Sequence, residues 1–186
     1  MYEFTMKHDY PKHISYKGYM GAYCNNCYTP VVFDYDISID SKSEIHGNIM
    51  YNTSIDDIKE VVVTCPKCNC EYEAIGIDPN IVDTIALLNK KGYTTLYSCE
   101  GNRISFKDIN PDSLCNAYIS FKDNHMDVLS HNPLPYNWNV DLSLNEFVIR
   151  SNIPDGMPVE EYCSEEVLKE RMDSIYKWAE SLPDNV

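Results

Sequence analysis

Apolar residues recur at helical spacing in the segment "IDPNIVDTIALLNKKGY". Ile81 and Ile85 repeat on one face of this segment, which is the pattern of an amphipathic helix. Asp78 is a good N-cap and is followed by Pro79, which is favoured at the first helical position. Gly92 supplies the left-handed residue that commonly ends a helix. The segment therefore predicts a helix that begins at Asp78 and ends at Gly92.

A second helix is predicted over the segment "SEEVLKERMDSIYKWAESLP". Ser164 can cap its N-terminus, two glutamates follow in the first turn, and Pro183 stops it. Apolar residues recur there at steps of four and three, which indicates a stripe that faces the core. The residues of this stripe are Leu168, Met172, Ile175, Ala179 and Leu182.

Strands are predicted where β-branched and aromatic residues cluster or alternate with polar ones. The segments are 31–37, 60–64, 71–77, 93–98, 103–106, 117–122 and 145–151. The proline-rich segment 124–141 is predicted to be a long ordered loop. These elements predict an α+β fold, with a β module over residues 1–77 and a domain over residues 78–186. That domain is expected to hold a three- or four-stranded sheet and two helices.

Two Cys-x-x-Cys pairs lie among the strands predicted in the first module. Cys24 and Cys27 form the first pair, and Cys65 and Cys68 form the second. Two intervening residues let both sulfurs of a pair face one turn, and two such turns complete a tetrahedral zinc site. The layout resembles a zinc ribbon. Because 37 residues separate the pairs, an inserted hairpin or loop is expected around "SKSEIHGN".

The four cysteines predict one structural Zn²⁺ per chain, since a complete shell leaves no position for water or substrate. Two other side chains are alternative ligands. Cys70 lies two residues beyond Cys68 and can replace it, and His46 is a weaker substitute. The remaining interpretation is that the pairs are buried thiols without a metal.

Composition narrows the class of partner. The chain has 29 acidic and 15 basic residues, and its formal net charge is −14. Such a surface repels nucleic acid and favours a basic protein partner. The chain shows no signal peptide and no segment of about 18 apolar residues that would span a membrane. Together with eight cysteines, this predicts a cytoplasmic location.

The stretch "SCEG" places Cys99 and Glu100 at the end of a predicted strand. Together with the segments "LNKKGYTTLYSCEGN" and "AYISF", it resembles a group of small proteins in low-GC bacteria and their phages that carry Ser-Cys-x-Gly-His. It is also similar to a Ser-Cys-Ser-Gly-Arg stretch of a wybutosine-synthesis methyltransferase. The resemblance spans about Leu87 to Phe121, and it implies either a phage-type regulatory protein or a modifying enzyme.

Two interpretations of this corner follow. A catalytic one uses Cys99, Glu100 and Arg103, with His125 or His131 nearby, in an enzyme that modifies RNA or small molecules. A structural one packs Cys99 at the strand end and gives Gly101 a backbone conformation that other residues resist. The bacterial group has histidine at the position of Asn102, so the residue best suited to act as a base is missing here. We favour the structural interpretation.

The chain contains fifteen tyrosines, which favours a role in protein binding because tyrosine is enriched at protein interfaces. Tyr136 and Trp138, in a proline-fixed segment, can either present a partner-binding surface or cover the sheet. The sequence thus favours a zinc-stabilised, acidic, protein-binding regulator, of which an inhibitor of a host nucleic-acid-handling complex is one instance. The alternative is the modifying enzyme at Cys99.

Overall fold

The computed structural model describes residues 2–6, 13–45, 48–53, 62–74, 76–101, 116–141 and 147–185, with side chains from residue 19 to 33 and from 62 onwards. The strands within these ranges are β1 (Tyr2–Met6), β2 (His13–Tyr23), β3 (Pro30–Ile45), β4 (Asn48–Thr53), β5 (Val62–Thr64), β6 (Glu71–Glu73), β7 (Thr95–Cys99), β8 (Tyr118–Phe121), β9 (Trp138–Asp141) and β10 (Phe147–Ser151). The helices are α1 (Val82–Lys90), α2 (Met126–His131), α3 (Val159–Tyr162) and α4 (Glu165–Ser181). The predicted α+β class is confirmed.

The first half of the chain is built from antiparallel strands. A four-stranded sheet has the order β1-β4-β3-β2, and β5 pairs with β6 in a separate two-stranded sheet. Ile45 at the end of β3 pairs with Asn48 at the start of β4. This confirms the hairpin expected between the two cysteine pairs. Strands β1, β2 and β4 lie outside the segments that the sequence predicts as strands.

The second half forms a four-stranded antiparallel sheet in the order β7-β8-β10-β9. One hydrophobic cluster joins this sheet to α1 and α4, and Ile85, Ile149 and Ile175 are almost completely buried within it. The predicted stripe of α4 is buried over its whole length. Ser164 caps this helix as expected, since its hydroxyl accepts a hydrogen bond from the Val167 N–H at 3.3 Å.

Helix α1 begins later than the sequence predicts. Its N-cap is Ile81, not Asp78. The Asp78 carboxylate accepts a hydrogen bond from the Glu100 N–H at 3.0 Å. This long-range bond competes with the capping role that a local pattern assigns to Asp78. The end of the helix is confirmed, because Gly92 has a φ of +90° and the Tyr93 N–H bonds to the Leu88 carbonyl at 2.9 Å.

The segment predicted as a long loop contains α2 and β9, so that prediction is wrong for 126–131 and 138–141. Tertiary contacts fix this segment, since Trp138 is buried and the Trp178 indole donates to the Asn132 carbonyl at 3.1 Å. The helices α2 and α3 add two short elements to the two helices that the sequence predicts. The predicted strand at 103–106 lies outside the described residues.

Gly21 lies where the first sheet meets α1. Gly21 in β2 forms a two-way hydrogen-bonded bridge with Ile77, with N···O distances of 2.6 and 2.9 Å. A Cβ atom at Gly21 would lie 2.7 Å from the Cβ of Val82 in α1. Glycine is required here because α1 packs directly onto the strand. The domain boundary predicted near Ile77 stays a prediction.

Candidate metal centre

The two cysteine pairs occupy the loops of two hairpins. Cys24 and Cys27 lie between β2 and β3, and Cys65 and Cys68 lie between β5 and β6. Each loop therefore presents two sulfurs at the end of a pair of antiparallel strands. This is the local arrangement that the sequence predicts for both pairs.

Backbone hydrogen bonds give the two loops the same conformation. The Tyr28 N–H donates to the Cys24 carbonyl at 2.7 Å, and the Asn69 N–H donates to the Cys65 carbonyl at 2.9 Å. Tyr28 and Asn69 have positive φ angles of 57° and 58°. A left-handed residue thus ends both loops at the same place, four residues after the first cysteine.

Backbone N–H groups also point at the sulfurs. The Asn26 N–H donates to Cys24 Sγ and the Lys67 N–H donates to Cys65 Sγ, each at 3.4 Å. Such bonds stabilise thiolates, which are the form of cysteine that binds metal. The two loops are thus pre-arranged for anionic sulfur.

The hairpin loops bring all four predicted ligands together. Their sulfur atoms lie within 4.8 Å of one another. The Sγ–Sγ distances are 3.5 Å for Cys24–Cys68, 3.5 Å for Cys27–Cys65 and 3.6 Å for Cys27–Cys68. Zinc–sulfur bonds of 2.3 Å in a tetrahedron require a sulfur separation of about 3.8 Å. The centre can therefore hold a metal ion, and its dimensions fit Zn²⁺.

The thiols differ in environment before metal binds. Burial raises the pKa of the Cys24 thiol to about 12. By contrast, the Cys70 N–H donates to the Cys68 sulfur and lowers the pKa of that thiol to about 7. The Thr29 hydroxyl, whose oxygen lies 3.1 Å from Cys27 Sγ, lowers the pKa of Cys27. A metal that binds all four sulfurs therefore has to displace protons from thiols whose pKa values differ.

A fifth cysteine lies against the four. Cys70 Sγ is 3.1 Å from Cys24 Sγ and 3.2 Å from Cys68 Sγ. The sequence indicates Cys70 as an alternative ligand to Cys68. The structure places the Cys70 sulfur beside the Cys68 sulfur at the centre. The other proposed substitute, His46, lies outside the described residues.

Thr29 is a contributor that the sequence interpretation overlooked. The motifs "CNNCYT" and "CPKCNC" align so that Thr29 and Cys70 occupy equivalent positions, two residues after the second cysteine. Both side chains contact the sulfur of that second cysteine, at 3.1 and 3.2 Å. Aligning the two motifs would have been sufficient to find this.

The "SCEG" corner is tied into the surrounding fold. Gly101 has a φ of +91°, as the structural interpretation expects, and its N–H donates to Cys99 Sγ at 3.3 Å. Glu100 is 4% exposed, and its carboxylate accepts a hydrogen bond from the Asn80 N–H at 2.9 Å. In addition, Arg171 Nη2 donates to the Glu100 carbonyl at 3.3 Å. Glu100 therefore connects β7 to the residues that precede α1 and to α4.

Of the other residues of the catalytic interpretation, His125 lies away from this corner. Arg103 lies outside the described residues. The His125 ring packs 5.5 Å from the Phe121 ring, and Phe121 pairs with Thr95, at the opposite end of β7 from Cys99. Four strand residues correspond to roughly 13 Å. The structure therefore gives Cys99 no support from His125.

The two residues predicted to bind a partner have different environments. Tyr136 is 86% exposed and Trp138 is 4% exposed. Both line a cavity of about 370 Å³ between the β9–β10 sheet edge and α4. Tyr136 is therefore available to a partner, whereas Trp138 packs in the hydrophobic core.

A larger groove was not predicted from the sequence. It has a volume of about 660 Å³ and lies between the β2–β3 hairpin and the helices α1 and α4. Tyr19 and Val32 line it and are 67% and 50% exposed. Segments far apart in the chain form this groove, so no local motif indicates it.

Comparisons with protein-family models, curated proteins and solved structures find no match to this chain. Among the described helices, none combines the length and the apolar character needed to cross a lipid bilayer.

Proposed function

We propose that this chain is a zinc-stabilised binding protein whose groove takes up a basic segment of a protein partner. One observation carries the proposal: exposed apolar side chains and several carboxylates line the same concave surface. Surfaces with this combination suit a segment that offers both apolar and cationic side chains.

The charge of the groove favours a cationic occupant. Asp83, Glu165 and Asp173 line it, and Lys169 is the single basic residue among its lining residues within the described chain. The formal net charge of −14 has the same sign. Lys or Arg side chains can pair with the carboxylates while their aliphatic stems cover Tyr19 and Val32.

The metal has a structural role in this proposal. Tyr19 lies on β2, Val32 lies on β3, and the first cysteine loop joins these two strands. Closure of a four-sulfur shell fixes the end of that hairpin and so fixes one wall of the groove. The shell supplies no open coordination position, so no chemistry at the metal is required.

The acidic groove also disfavours nucleic acid as the ligand, because phosphates would meet carboxylates. In view of the phage-related resemblance, an inhibitor of a host nucleic-acid-handling complex is one instance of such a protein. Its partner would then be a basic, nucleic-acid-binding protein. A modifying enzyme at Cys99 stays a prediction of the resemblance alone.

The test uses the purified chain as bait in a host extract, with two matched double variants. Asp83→Lys with Asp173→Lys reverses two charges in the groove. Glu160→Lys with Glu161→Lys reverses two charges on α3, outside the groove, and changes the net charge equally. We expect a stoichiometric basic protein to be captured by the unsubstituted chain and by the α3 variant, and to be lost with the groove variant.

Equal loss with both variants would show that overall charge governs binding, and the groove assignment would be wrong. Capture that persists as the salt concentration rises would also contradict the proposal. Salt shortens the Debye length and so weakens the attraction between exposed charges. Tyr136→Ala tests the other surface, with Tyr97→Ala as its control, since Tyr97 is 64% exposed on β7. Loss with Tyr136→Ala alone would move the binding site to the cavity beside α4.

A further inference from the structure

The centre contains one more sulfur than a tetrahedral metal requires. Cys70 Sγ lies within 3.2 Å of two predicted ligands, Cys24 and Cys68. Four sulfurs complete a tetrahedral ligand shell, so any four that bind the metal leave a fifth thiol beside it. The fifth thiol is therefore available for a role in addition to coordination.

The backbone holds Cys70 in this position. Its carbonyl accepts a hydrogen bond from the Cys65 N–H at 2.9 Å, which closes the second loop. Thr29, the equivalent residue of the first loop, has its carbonyl bonded in the same way to the Cys24 N–H at 3.0 Å. In the first loop the Thr29 hydroxyl can donate a hydrogen bond to the ligand sulfur of Cys27. Hydrogen bonding to a ligand sulfur therefore does not by itself require a thiol at position 70.

Exposure differs among the sulfurs and determines which one a dissolved oxidant meets. Cys24 and Cys65 are buried, Cys27 and Cys70 are half-buried, and Cys68 is exposed. The most accessible ligand, Cys68, is therefore one of the two that lie beside the additional thiol.

We propose that Cys68 and Cys70 form a peroxide-sensitive pair whose oxidation releases the metal. The proposal depends on metal binding at the centre and is independent of the groove. It assigns a modification site to Cys68 and a resolving function to Cys70.

The chemistry proceeds in two steps. The Cys68 thiolate attacks a peroxide oxygen, the O–O bond breaks, and a sulfenic acid and hydroxide form. The Cys70 thiol then attacks the Cys68 sulfur, which forms an S–S bond and expels water. Two electrons pass from the two sulfurs to hydrogen peroxide. A sulfenate at Cys68 can still contact the metal, whereas a disulfide sulfur is not a ligand, so disulfide formation is the step that leaves three ligands and loses the metal to a competing chelator.

The experiment loads the full chain with zinc and adds hydrogen peroxide in the presence of a chromogenic zinc chelator. Cys70→Ser keeps a hydrogen-bond donor and should retain one zinc per chain, but its peroxide-driven release should be on the order of tenfold slower. Cys99→Ser is the matched control, because Cys99 lies on β7 away from the centre. It should release zinc at the rate of the unsubstituted chain.

Peptide mapping of the unsubstituted, oxidised chain gives an independent readout. We expect a Cys68–Cys70 disulfide and the loss of two hydrogen atoms in mass. Release from Cys70→Ser at the unsubstituted rate would overturn the proposal. A disulfide that lacks Cys70 would overturn it as well, and a Cys24–Cys70 bridge would overturn the assignment of Cys68 as the attacked sulfur.

Discussion

The cysteine centre and the helix-backed sheet are stabilised by different means. Strands β5 and β6 have three residues each, and all of these residues are exposed or half-buried. In the other region, Ile149 and Ile175 are completely buried in one hydrophobic cluster. A short hairpin that buries little apolar surface needs a staple, whereas a packed core does not. The difference predicts that a metal bound at the centre and the hydrophobic core can be perturbed separately.

Loss of the metal should have the largest effect. Cys24→Ser or Cys65→Ser removes a buried ligand, and structural zinc sites contribute apparent binding free energies on the order of 10 kcal/mol. We expect one zinc in the unsubstituted chain and none in either variant, measured by elemental analysis. Cys99→Ser should retain the zinc. If the hairpins that carry the cysteines stay folded in metal-free protein, they do not depend on a metal for their stability, and the contrast with the packed core is wrong.

Truncation of the core should produce the converse result. Ile175→Ala leaves a cavity beneath α4 and should lower the free energy of unfolding by about 2–5 kcal/mol, measured by urea denaturation. Zinc content should stay at one per chain. Leu96→Ala is the control, because Leu96 is 47% exposed and should change stability much less. Loss of zinc in the Ile175→Ala variant would indicate that the core holds the metal centre together.

The corner at Gly101 should respond to backbone strain. Gly101→Val places a β-branched residue at a φ of +91°, which should cost about 1–3 kcal/mol of stability. Cys99→Ser, which keeps nearly the same size, should cost less. The measurement is the melting temperature of both variants. The opposite order would favour a functional thiol over a structural corner.

The smallest predicted effect concerns pH. Burial lowers the pKa of His125, although Asp123 and Asp127 act in the opposite direction. The unfolded chain therefore binds a proton more readily than the folded one, and stability should fall as pH decreases below about 6.5. His125→Phe should reduce this dependence between about pH 5 and pH 7. His131→Gln, at an exposed position, should leave it unchanged, and equal slopes for all three proteins would refute the assignment.

Local patterns predicted the features that depend on local interactions. The four ligand positions, the cap and buried stripe of α4, and the positive φ at Gly101 follow from spacing and residue type. The start of α1 does not, because the Asp78 side chain bonds to Glu100, which is 22 residues away. The groove at Tyr19 depends on packing among β2, β3, α1 and α4, so it has no signature in any one segment.

The length of β3 gives the cysteine centre a mechanical consequence. This strand starts at Pro30, directly after the first cysteine loop, and runs for 16 residues to Ile45. At 3.3 Å per residue its span is about 50 Å, so a rotation of about 5° at the loop displaces the far end by about 4 Å. A small change in orientation at the cysteine centre thus produces a much larger displacement at the far end of β3. The angle at which the hairpin leaves the cysteine loop, together with the packing of Gly21 against α1, therefore affects the position of the far end of the sheet.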